Sequence, residues 1–313
     1  MPTLNLTRNG GAVTPLLTTG TDVRDWFALL KPRVMTLVVL TGLVGLLIAP
    51  GRLHPVLALA AVLCIAVGAG AAGAINMWYE RDIDALMRRT ARRPIPAGRI
   101  EPGAALGFGV VLSVASVLVM ALATNAVAAA VLAFSIAFYV FIYTMWLKRR
   151  TPQNIVIGGA AGAFPPIIGW AAVTGSLDVM PLLLFAIVFV WTPPHFWSLA
   201  LYASSDYGRA GVPMLPVVAG GRTTRWHIML YTVALVPLSL LPWALGHAGA
   251  TYGITAAVLG AGFLAASFRV LRDRQDERGV SLTKDAPARA AFRYSLAYLA
   301  ILYLAVAVDH WVS

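Results

Sequence analysis

Asn76, Glu80 and Asp84 stand four residues apart in the stretch NMWYERDIDALMRRTARRPIPAGRI, residues 76–100. On a helix this spacing puts all three on one face, with about 6 Å of rise between neighbours. Asp82 points elsewhere. Amide and carboxylate oxygens lined up in this way are the donors a hard cation such as Mg²⁺ prefers, and Mg²⁺ commonly shares its shell with phosphates. Arg88, Arg89, Arg92 and Arg93, which follow at once, suit a polyanion bridged by that metal. The rival reading is a solvated helix end whose acids pair with Arg81, Arg88 and Arg89. Position favours chemistry: the acids close an apolar run, AVLCIAVGAGAAGAI, where ionisable groups are costly and usually functional.

A second acid stands in a comparable place. In FWSLALYASSDYGRAGVPMLPVVAGG, Tyr202 and Asp206 are again four apart at the end of an apolar segment. Two acid-bearing helix ends on one face make a two-sided clamp for a metal and a diphosphate. The third polar piece, YTMWLKRRTPQNIVIGGAAGAFPPIIGW, holds Lys148, Arg149 and Arg150, which read first as an orientation-setting basic cluster. Its small residues allow close helix approach, and Pro165–Pro166 interrupt the segment, which is tolerated where backbone faces a protein cavity.

Those groups need long apolar elements to carry them. Of the 313 residues, 59% are hydrophobic and 12% charged, too little polar surface to cover a soluble protein of this size. The expected fold is all-α and polytopic in a membrane, with nine transmembrane helices around a central cavity. About twenty apolar residues cross the hydrocarbon, and nine such stretches occur: 33–50, 55–76, 103–124, 126–147, 154–174, 179–202, 226–246, 251–270 and 291–309. Of the 24 basic residues, all but Arg52 lie at the N-terminus or by the loops after the even-numbered spans. That asymmetry puts the N-terminus in the cytoplasm, the C-terminus on the opposite side and the even loops on the cytoplasmic face. The net charge of +11 then reflects orientation, and nucleic acid is not an expected partner. Residues 1–25 read as a polar, unordered tail without a cleavable secretory signal, and 26–313 as one transmembrane domain. Cys64, the single cysteine, lies in an apolar run and excludes an internal disulfide.

The motifs resemble a known family. NMWYERDIDALMRRTARRPIP is similar to the first acidic motif, Asn-x-x-x-Asp-x-x-x-Asp, of the UbiA superfamily of intramembrane prenyltransferases, whose members have nine transmembrane helices. WFALLKPRVMTLVV, DIDALMRRTARRPIPAGRI, YTMWLKRRTPQNIVIGGAAGAFPPIIGW, WTPPHFWSLALY and DYGRAGVPMLPVVAGG resemble its heme O synthase branch. The likeness runs from about residue 26 to 310. It implies transfer of a farnesyl group from farnesyl diphosphate to a vinyl group of heme b with addition of water, in a bacterial inner membrane with the site at the cytoplasmic face. It implies Mg²⁺ held by Asn76, Glu80, Asp84 and Asp206, with Lys148 completing the catalytic set. Arg88, Arg92, Arg93, Lys148 and Tyr202 would meet the diphosphate, Lys148 and Arg92 foremost. A heme A synthase and terminal oxidase assembly factors are the implied partners. Glu80 stands where the family usually has Asp, and Tyr202 where the second motif often has a first acid.

Of the five histidines, His54, His227, His247 and His310 fall near span ends, where interfacial roles suffice. His195, in WTPPHFW, lies inside span 6 beside a proline break and needs a partner there. An axial contact to heme iron and a helix-to-helix hydrogen bond are its two readings. The rival functions are a sister prenyltransferase acting on an aromatic quinone precursor, an ion-coupled transporter and a pure scaffold.

Overall fold

The computed structural model describes residues 22–277 and 279–312. The expected N-terminal tail lies, for residues 1–21, outside the described residues. In chain order the elements are α1 (Val23–Leu29), α2 (Pro32–Leu47), α3 (Pro55–Tyr79), α4 (Arg81–Leu86), α5 (Pro102–Ala123), α6 (Ala126–Ala137), a π-helix π1 (Phe138–Leu147), α7 (Asn154–Ala163) and α8 (Pro165–Thr174). Then follow α9 (Val179–Tyr202), α10 (Ser204–Arg209), α11 (Leu215–Val218), α12 (Gly220–Ala244), α13 (Ala250–Leu271) and α14 (Ala286–Val312).

Helix starts follow local chemistry. Proline opens α2, α3, α5 and α8, where its missing N–H costs nothing. Glu101, Asn125 and Asp178 turn side-chain oxygens onto the first free N–H groups of α5, α6 and α9. Asn125 also donates from Nδ2 to Ala171 O at 2.8 Å, tying the start of α6 to the end of α8.

Among the described residues, eight helical segments are long and apolar enough to cross a membrane, and nine when the bent pair α1–α2 counts as one span. The chain is an integral membrane protein, and the expected nine spans match these segments to within a few residues. The bend between α1 and α2 is 52°, centred on Lys31, whose φ of 52° is left-handed. Pro165–Pro166 divide α7 from α8 as expected. The proline break expected beside His195 is absent: α9 runs unbroken through Pro193 and Pro194. Neighbours α7, α8, α12 and α14 all pack on α9, and such enclosure holds a helix where proline removes backbone bonds.

The largest buried cluster joins Val44, Trp170, Leu184, Trp191, Tyr252 and Tyr298 among others, linking α2, α8, α9, α13 and α14. The helices α2 and α8 touch backbone to backbone. A Cβ on Gly45 would run into the Pro166 carbonyl, and one on Gly169 into that of Gly42. Leu122, Val111, Leu230 and Val258 point outward, as lipid-facing side chains do.

Candidate functional site: a buried charge cluster at one end of the bundle

The acidic stretch bends without losing its helical bonding. Glu80 both ends α3 and opens α4, yet its N–H donates to Asn76 O at 3.0 Å and the Asp84 N–H donates to Glu80 O at 2.8 Å. The four-residue repeat therefore survives the bend. Asn76, Glu80 and Asp84 are all buried, at 2%, 1% and 3% exposure. Asp82 instead faces outward and accepts two hydrogen bonds from Arg149, at 2.7 and 2.8 Å. The Arg149 hydrogen bond holds the Asp82 carboxyl below the usual carboxylate range.

Each buried residue of the motif meets a base from a different part of the chain. Lys31, at the α1–α2 bend, donates Nζ to Asn76 Oδ1 at 2.7 Å. Lys148 donates to Glu80 Oε2 at 2.5 Å, and Arg93 to Asp84 Oδ2 at 2.6 Å. Asn76 completes its bonding by donating Nδ2 to Thr144 Oγ1 at 3.1 Å. Three basic side chains thus face two carboxylates, and Glu80 Oε1 is buried with no partner. Burial alone would lower the Lys148 amine, but the adjoining Glu80 carboxylate outweighs it and holds the amine above the ordinary lysine value.

The sequence carried no sign of the winding that aims Lys148. Phe138–Leu147 form π-helix, and the Lys148 N–H bonds five residues back to Tyr143 O at 3.0 Å. π-turns are rare and frequent at functional sites. Gly158 of α7 makes room for Tyr143, since a Cβ there would strike its ring.

The second acid reaches the same end of the bundle, but by a different local structure. Tyr202 is the last residue of α9 and Asp206 lies in α10, with Ala203 (φ −106°, ψ 9°) between them. The Asp206 N–H bonds three residues back to Ala203 O at 3.0 Å, so the chain tightens between Tyr202 and Asp206. Tyr202 lies under the Arg289 guanidinium, 4.3 Å from ring to carbon. Asp206 pairs with Arg209. The two acid-bearing segments meet through Ile83, Met87, Tyr207 and Ala210, and Arg89 donates to the Tyr207 hydroxyl at 3.4 Å. Of the expected diphosphate contacts, Lys148 and half-buried Arg93 join the cluster directly, whereas Arg88 and Arg92 are exposed.

The donor set fits a hard divalent cation. Its atoms are carboxylate and amide oxygens, and the partnerless Glu80 Oε1 offers a buried anionic lone pair. Among the described residues, no three His, Cys, Asp or Glu side chains converge into a complete cage. A cation here would need oxygens from its ligand as well.

His195 makes a helix-to-helix bond. Its Nδ1 is 2.7 Å from Ser295 Oγ of α14. The Ser295 hydroxyl, with its one proton, is also 2.7 Å from Phe292 O. With the Ser295 proton given to Phe292 O, the imidazole supplies the proton from Nδ1 and Nε2 keeps its lone pair; with that proton given to Nδ1, the tautomer is the reverse. Trp191 and Phe292 stack on the ring's two sides at 4.3 and 4.6 Å. Lys31, Thr144, Tyr207 and Arg289 were missed from sequence. Of these, Lys31 alone carries a signal that could have found it, an isolated base before an apolar run.

The UbiA prenyltransferase family matches residues 38–296. A protein of Granulibacter bethesdensis named protoheme IX farnesyltransferase is 74% identical over 92% of this chain and 91% of its own length. A solved digeranylgeranylglyceryl phosphate synthase shares the fold with a TM-score of 0.73 at 20% identity, covering 92% of this chain and 98% of that one. A UbiA homolog from Archaeoglobus fulgidus, solved with DMAPP and Mg²⁺, matches with a TM-score of 0.63 at 16% identity over 91% and 99% of the two chains. The extent of the family match and the identity to a near-full-length relative lead to one conclusion: this chain belongs to the UbiA prenyltransferase family.

Proposed function

We propose that the protein transfers the farnesyl group of farnesyl diphosphate to a vinyl group of heme b, giving heme O and diphosphate at the cytoplasmic face of a bacterial inner membrane. The near-full-length likeness to protoheme IX farnesyltransferases supports the choice of substrates. The observation in this chain that carries the chemistry is the cluster of Glu80, Asp84, Lys148, Arg93 and Lys31 at the inner ends of several spans. The concentration of basic residues on that side supports the cytoplasmic orientation.

Asn76, Glu80 and Asp84, with Asp206 from α10, are the residues that would hold Mg²⁺. When bound, the metal supplies positive charge against the diphosphate. Lys148 and Arg93 now satisfy the carboxylates, and they are the bases placed to move onto phosphate oxygens when a ligand arrives. Positive charge aimed at the departing group lowers the barrier to breaking the farnesyl C–O bond. The apolar helices around the site shield the allylic cation from premature water. The terminal vinyl carbon bonds to the farnesyl carbon, and water adds at the carbon beside the porphyrin with loss of a proton. His195, its Nε2 free of the Ser295 bond, is the proposed contact to the heme iron.

The test is incubation of the purified protein with farnesyl diphosphate, Mg²⁺ and either heme b or 4-hydroxybenzoate, followed by mass spectrometry. Heme O formation with untouched benzoate is expected. A prenylated benzoate with unchanged heme would transfer the protein to the quinone-forming branch.

A further inference from the structure

The seam between α9 and α14 holds a graded series of side chains, of which Tyr202 alone is also an expected diphosphate contact. Deep in the seam, Trp191, His195 and Phe292 form a stack. Toward the basic end, Phe292 meets the edge of Tyr202 at 6.3 Å, and Arg289 covers the Tyr202 ring at 4.3 Å. Arg293, one turn further along α14, and Arg89 act electrostatically on the same phenol. Tyr202 thus stands between this seam and the cluster around α4.

Arg289 and Arg293 are exposed, and among the described residues neither forms an ion pair with an acid. Arg289 also sits in the first turns of α14, a helix of 27 residues. A cation at the positive end of a helix is electrostatically unfavourable. Part of that cost is offset by the neighbouring Asp285 carboxylate and by the bond from Arg289 Nε to Lys284 O at 3.3 Å; Arg293 adds a second cation to the same end.

We propose that Arg289 and Arg293 bind the carboxylates of the acceptor's macrocycle, with Tyr202 and Phe292 against its apolar edge and His195 toward its centre. This rests on the reading of heme b as acceptor. Six residues of helix separate Ser295, the partner of His195, from Arg289, a rise of about 9 Å. That is close to the reach from a porphyrin's centre to its propionate groups. The two arginines are four residues apart, so they present adjacent forks on one helix face, as two neighbouring carboxylates require. The His195 ring is covered on both faces, so only its edge is open to a metal. With the carboxylates at the basic mouth, the vinyl groups, which occupy the opposite edge of the macrocycle, lie away from that mouth in the apolar interior.

The experiment compares binding of heme b and of its dimethyl ester, in which both carboxylates are blocked, by the full-length protein in lipid nanodiscs. The native chain should prefer heme b, and Arg289→Gln and Arg293→Gln should each weaken heme b about tenfold. Neither change should alter ester affinity or the KM for farnesyl diphosphate, and Arg→Lys at either position should restore part of the preference. Equal affinity of the native chain for acid and ester overturns the inference alone, as does a parallel loss for both ligands in the variants. Absence of any heme binding by the native chain removes the acceptor reading and this inference with it.

Discussion

Two buried charge clusters lie on the same side of this bundle, and they are built on opposite principles. Around α3 and α4, three bases face two carboxylates and one carboxylate oxygen is left partnerless. Beneath the loop between α13 and α14, one base faces two acids: Arg225, 2% exposed, donates to Asp273 at 3.3 Å and Asp285 at 2.9 Å. There the buried acid is filled, since Ser281 and Thr283 donate to Asp273 at 2.7 and 2.6 Å and Arg225 also reaches Gly279 O, and the partnerless atom is a donor, Arg225 Nε. A buried ion group whose carboxylates are all satisfied locks a loop. One with surplus bases and a partnerless anionic oxygen has both the charge and the acceptor that a ligand could use.

If that contrast is sound, the two clusters fail differently. Arg225→Met leaves buried Asp273 and half-buried Asp285 without their base and should cost about 3–5 kcal/mol of stability, read as a lowered thermal midpoint. Activity per folded molecule should be nearly unchanged; a selective loss of turnover would erase the distinction. Asp84→Asn or Glu80→Gln should do the reverse, cutting kcat/KM by about 10²–10³-fold with the thermal midpoint held within a few degrees. Full activity in both variants would mean that the α4 cluster is structural too.

A smaller effect separates the bases. Lys148→Met should lower turnover by about 10–10²-fold and lower the Mg²⁺ concentration needed, because the Glu80 carboxylate loses the ammonium that competes with the metal. The pH dependence has a definite sign: the Lys148 amine is held above its ordinary value, so its ion pair contributes below the unfolded lysine range and is lost only as pH rises beyond it. Loss of this contribution near neutral pH would contradict the pairing with Glu80. The smallest change is expected at Asp82–Arg149, both partly exposed. Asp82→Asn should cost under about 1 kcal/mol. Because the Asp82 carboxyl is depressed, that contribution should be present above about pH 4 and fade as acid takes the pH through a lower value. A change of several kcal/mol there would place Asp82 with the working acids.

Much of this was legible in the chain itself. Hydrophobic length and the one-sided distribution of lysine and arginine lead to nine spans because the hydrocarbon layer sets a length and the membrane an orientation preference. The four-residue repeat of Asn76, Glu80 and Asp84 survives because local backbone bonds carry it across the bend at Glu80. At Tyr202 and Asp206 the same spacing crosses the end of α9, and there the Asp206 N–H bonds to Ala203 O, three residues back. The proline pair before His195 signals a break that surrounding helices suppress.

Sequence by itself determined that this protein spans a membrane, which loops carry its charges and which acids repeat at four-residue spacing at a helix end, because these follow from composition, length and near-neighbour spacing. Which base meets which acid was decided only by tertiary structure. Lys31–Asn76 and Lys148–Glu80 join residues 45 and 68 positions apart, and one of those pairings depends on a π-helical segment. Such partnerships depend on how separate helices end beside one another, a property of their packing that no local pattern encodes.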